Sequence, residues 1–165
     1  MSSAIVETRP VEELALFNPA FLALMLHRAV EEHESRSAGR PMPSVLSYLI
    51  APVALHGPTR RALPINVRSQ MGEWVRSHPE ASLGLGNRAR ARRPLVSDGL
   101  RLGLQHGLLS TDGPGMRSSR LPRRPRGMAR TTEVDKCIEK AGFLGRWFSE
   151  QPDSITTLAL WGLRP

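Results

Sequence analysis

LLSTDGPGMRSS, residues 108–119, sets two short runs on either side of Asp112-Gly113-Pro114-Gly115. Gly and Pro clustered in this way mark a tight turn, so the stretch reads as a small β-hairpin over about 108–119. Three helical patterns precede it. Residues 66–77 place Val67, Met71, Trp74 and Val75 on one side, and residues 79–92 place Leu83, Leu85 and Ala89. Residues 94–106 bury Leu95, Val96, Leu100 and Leu104 or Leu102, and Gly107 follows where a helix C-terminus favours glycine. Three helices and then a hairpin is the order of a winged helix-turn-helix, so residues 64–119 read as a winged-helix-like part.

Upstream, Asn18-Pro19 reads as a helix start. Asn accepts a bond from a free backbone N–H, and Pro gives up a donor that has no partner there. Phe21, Leu22, Met25, Leu26, Ala29 and Val30 carry that helix to about residue 34, and Gly39-Arg40-Pro41 ends it. A second helix spans about 43–55, with Val45, Leu46, Leu49, Ile50 and Val53 inward and Pro52 kinking or ending it. Residues 56–59 read as a turn. Downstream, residues 120–130 hold five arginines, two prolines and no acid, and read as a basic linker or arm. Thr132 then opens a helix on which Val134, Cys137, Ile138, Ala141, Leu144, Trp147 and Phe148 keep helical spacing. Residues 154–163 are apolar and read as a short helix. The expectation is a mainly α chain with residues 1–13 as an N-terminal arm. Residues 14–165 then form one helical domain, with 14–63 as a helical hairpin, 120–130 as the linker and 131–165 as the C-terminal helices.

The net charge is +8, from 23 Lys and Arg against 15 Asp and Glu. It is not evenly spread. Residues 1–58 hold 4 basic and 6 acidic groups, residues 59–130 hold 15 and 4, and residues 131–165 hold 4 and 5. A basic middle of +11 between near-neutral ends points to an anionic partner, either nucleic acid or an acidic protein surface, or else to an arginine-rich solvated face. The candidate binding residues are Arg88, Arg90, Arg92, Arg93 and Arg101, with Arg123, Arg124, Arg126 and Arg130 on the arm. On a helix Arg88 and Arg92 share one face, and Arg90 and Arg93 share another. Trp74 is the sole aromatic in residues 59–130, which argues against stacking on single-stranded bases and leaves phosphate contact with double-stranded DNA as the nucleic-acid reading.

Catalytic patterns are missing. Only Lys136 and Lys140 are lysines, and neither follows a phosphate-binding glycine run. Neither has an acid two positions earlier, which removes the nuclease pattern that needs one. The five histidines show no metal-ligand spacing, and the single cysteine lies on a core stripe, so no cofactor or metal is expected. Gly84-Leu85-Gly86-Asn87-Arg88-Ala89 matches a dinucleotide fingerprint in letters, but no strand precedes it and no acid stands about 20 residues on. No stretch reaches the ~18 continuous apolar residues of a membrane span, and the acidic start is unlike a secretion signal, so a cytoplasmic protein is expected.

Five stretches carry a resemblance. They are LFNPAFLALMLHRAVEEHES (16–35), GRPMPSVLSYLIAPVALHGPTRRALP (39–64), GLQHGLLS (103–110), KAGFLGRWF (140–148) and ALWGLRP (159–165). In that order they resemble the middle component of bacterial three-component ABC (ABC-3C) systems. The resemblance implies a non-enzymatic adaptor encoded between an ABC-type ATPase of the Rad50/SMC-like kind and a variable effector, in defence against phage or plasmids. It brings no catalytic residues. Asn18, Pro19, His56, Pro58, Thr59, Gly107, Phe143, Gly145, Gly162 and Pro165 fall in the matching stretches, whereas 120–130 matches none of them. A free-standing winged-helix DNA-binding regulator is the alternative.

Overall fold

Asn18 caps the first helix as its sequence requires: its side chain accepts from the Ala20 N–H at 2.9 Å, with Pro19 in the first turn. The computed structural model describes residues 18–121 and 132–164. Helix α1 (Pro19–Arg36) buries Leu22, Met25, Leu26, Ala29 and Val30 completely. It closes with the Gly39 N–H donating to the Glu34 carbonyl at 2.8 Å, across Ala38 at φ +55°.

The second predicted helix begins differently. Met42–Pro43 form a short strand β1, Ser44–Leu46 a 3-10 turn, and only Ser47–Ala54 form α2, which carries Pro52 within it. The predicted turn at 56–59 is a helix start. His56 Nδ1 accepts from the Thr59 N–H and bonds the Thr59 hydroxyl, and α3 follows over Gly57–Ala62.

The helix expected over 66–77 is shortened to α4, Met71–Ser77. Asn66 Oδ1 accepts from the Arg68 N–H at 3.0 Å, a local turn that competes with helix hydrogen bonding. The next two predicted helices are also corrected. Helix α5 covers only Pro79–Ser82, and α6 runs unbroken from Leu85 to Gln105 through Pro94. The break falls at Gly84, whose φ of +69° suits glycine, rather than at Arg93-Pro94. Pro94 removes a single backbone donor. Leu85, Val96, Gly99 and Gly103 bury one continuous side before and after it. Leu83, expected on that side, is 76% exposed. Gly107 closes α6 at φ +69°, with its own N–H donating to Leu104 and the Leu108 N–H to Gly103.

The hairpin is present as β2 (Leu109–Asp112) and β3 (Gly115–Ser118). It gains a third strand that sequence reasoning missed: β1 pairs antiparallel with β3, Met42 opposite Met116, giving the order β1-β3-β2. Glu34 of α1 fastens this sheet by accepting from the Ser118 N–H and hydroxyl and from Arg117. Helix α7 (Thr132–Ser149) packs along α1, and α8 (Ser154–Leu160) follows a cap in which Asp153 accepts from the Thr156 N–H. Trp74, Trp147 and Trp161 meet where α4, α7 and α8 converge, with ring centres 5.6–6.4 Å apart. The fold is mainly α with a small antiparallel sheet.

Candidate functional site

The basic stretch of α6 divides around the helix. Arg88 turns toward the protein: its guanidinium donates to the carbonyls of Leu83 at 2.7 Å and Ala81 at 3.3 Å, closing the last turn of α5. Arg92 is half-buried on the same side, and burial pulls both guanidiniums below their ordinary value. Arg101 is exposed and paired with Asp98 at 2.7 Å. Arg117 on the hairpin is paired with Asp112 and Glu34. Arg123, Arg124, Arg126 and Arg130 lie outside the described residues.

Arg90 and Arg93 remain, both exposed, on the face where helical spacing placed them together. They line a groove of about 630 Å³ with Gly86 and Ala89 of the same helix. Val45 and Tyr48 form another wall, and the Tyr48 hydroxyl is held by Ser97 at 3.0 Å. Leu158 of α8, Leu163 and Arg164 complete it. Sequence reasoning missed Val45, Tyr48 and Arg164, because the walls come from segments more than a hundred positions apart. Arg90, Arg93 and Arg164 have no ion-pair partner among the described residues, and the lining holds no carboxylate, histidine or thiol. Such a surface can receive anionic groups beside apolar ones.

Other polar clusters stay internal. Arg60, 4% exposed, donates to the Ala54 carbonyl and to Cys137 Sγ and pairs with Glu133, tying α3 to α7. Burial pushes the Cys137 thiol up, so it remains a neutral core group. His27 is buried with Nε2 2.6 Å from the Ser119 carbonyl, and His78 stacks on Trp74. Burial lowers the His56 pKa, and the charges of Arg88, Arg60, Arg61 and Arg92 lower it further. No group of three or more His, Cys, Asp or Glu is placed to hold a metal among the described residues. No helix among them is long and apolar enough to cross a membrane.

Comparison with known proteins found no match among curated proteins and none among solved structures. A family model does match: that of the ABC-three component (ABC-3C) system Middle Component 3, over residues 6–165. The match spans nearly the whole chain, including the segments that build the groove, and a middle component of a multi-component system has partner proteins. The chain belongs to the Middle Component 3 family of ABC-three component systems.

Proposed function

We propose that this protein is a non-enzymatic, cytoplasmic adaptor that joins an ABC/SMC-like ATPase to an effector in a bacterial defence system against phage or plasmids. The family match over residues 6–165 carries the reading. The arginine-lined groove supports it, because an adaptor needs recognition surfaces rather than reactive groups. The test is reconstitution of the chain with the ATPase and the effector of its own system. An adaptor gives a complex containing all three, and omitting it separates the other two. ATPase–effector association of equal strength without this chain, or no association of the chain with either protein, would sink the reading.

A second reading has a specific observation behind it. The helix–strand–helix order that ends in a hairpin, with β1 added beside β3, favours a winged-helix-like DNA-binding regulator. Against it, Arg88, Arg101 and Arg117 are already engaged, and the hairpin tip carries Asp112. A regulator binds its own promoter selectively, with affinity falling steeply as salt rises. Equal, weak binding to unrelated duplexes would count against it.

A further inference from the structure

We infer that the groove between α6, the Val45–Tyr48 wall and the Leu158–Arg164 segment is the docking site for an acidic segment of a partner protein, one that sets a large apolar side chain between carboxylates; this rests on the adaptor reading. The floor and walls supply Val45, Ala89, Leu158 and Leu163, with the Tyr48 ring fixed through Ser97. Such a surface favours an inserted apolar side chain. Arg90 and Arg93 lie one turn apart on α6, about 4.5 Å along the axis at 1.5 Å per residue. Arg164 faces the same groove from the C-terminal segment. Carboxylates flanking the inserted side chain would meet these guanidiniums in bidentate fashion. Tyrosine and arginine are also among the side chains enriched at protein–protein contacts.

Charge complementarity favours a peptide over duplex DNA. The three cations border an apolar concavity instead of forming a track along a convex phosphate backbone. Arg101, farther along α6, and Arg117, on the hairpin, are already paired, with Asp98 and with Asp112 and Glu34. Gly86 provides a way to close the groove without damage to the fold, since a Cβ there meets nothing within 4 Å.

The experiment uses the full chain, with the ATPase and effector of its system purified separately. Affinity for each is measured for the unsubstituted protein, for R90E/R93E, for Gly86→Leu and for Arg101→Glu as a charge control. A photo-crosslinking p-benzoylphenylalanine in place of Tyr48 identifies the segment that enters. We expect R90E/R93E and Gly86→Leu each to weaken one partner about tenfold or more, while Arg101→Glu leaves it unchanged. We expect the crosslink to land on a stretch rich in Asp or Glu. Unchanged affinity in R90E/R93E overturns the inference and leaves the adaptor reading intact, as does a crosslink on a stretch without carboxylates. Loss of 30-bp duplex binding in R90E/R93E, with protein affinities retained, assigns the trio to phosphates and likewise overturns it. Failure of the unsubstituted chain to bind either protein removes the adaptor reading, and the inference with it.

Discussion

Two positions separate Arg88 from Arg90, and the helix turns them to different surroundings. Arg88 holds two backbone carbonyls at the α5–α6 junction, whereas Arg90 faces the groove. Arg88→Ala should therefore cost about 1–2 kcal/mol in denaturant unfolding, with Arg93→Ala within about 0.5 kcal/mol of the unsubstituted protein. Of the two glycines on α7, Gly145 is the more tightly enclosed. A Cβ there would stand 2.1 Å from the Ala29 carbonyl oxygen, so Gly145→Ala must push α1 and α7 apart. We expect a loss of about 3 kcal/mol or more, read as a drop in the urea midpoint. His56 carries the pH dependence most exposed to test. Its folded pKa lies below the ordinary 6.5, so the unfolded chain takes up the proton first as pH falls. Its contribution is full above pH 6.5 and is lost as pH drops below that value toward the folded pKa. The Tm should fall between pH 7.5 and 5.5, and His56→Asn, which keeps a capping acceptor, should flatten that slope; a slope unaltered by the substitution would place the effect elsewhere, with His33 the next group to test.

At the scale of elements, α6 is the informative departure. Proline commonly marks a boundary because it removes a donor and crowds the preceding turn, yet α6 runs through Pro94. One missing bond is a small loss beside a helix that buries Leu85, Val96, Gly99 and Gly103 along one side. Glycines at 99 and 103 bring the backbone against Leu22 and Leu109, whose nearest atoms lie 2.7 and 2.9 Å from where a Cβ would sit. These contacts set the helix path, and no local pattern announces them. Pro94 is exposed, so Pro94→Ala should stabilise the protein by about 1–3 kcal/mol and raise Tm. A decrease would show that the proline is needed for packing. The ends of α1, the C-terminal end of α6 and the hairpin were legible, because capping and turn chemistry are decided within a few residues. Strand β1 was not, because a two-residue strand exists only through its partner Met116.

Across the whole molecule, α1 is the common neighbour of α6, α7 and the hairpin. A core so shared should unfold in one step, with the fluorescence of Trp74, Trp147 and Trp161 and the helical circular dichroism signal changing at the same denaturant concentration. Separate midpoints would divide the chain into independent units. The site was legible in part. Helical spacing alone paired Arg90 with Arg93 and Arg88 with Arg92, yet which pair faces outward depends on where Leu85 and Val96 are buried. The opposite wall, with Tyr48, Leu163 and Arg164, follows from packing among segments remote in sequence.

That Ala29 rests on Gly145 also bears on how the chain is made. At about 5–20 residues per second, roughly 6–23 s pass between the synthesis of those two positions. Through that interval the apolar side of α1 that α7 will cover stands open beside the ribosome. Nascent α1 is thus open to chaperone capture and to aggregation until α7 emerges and covers that side.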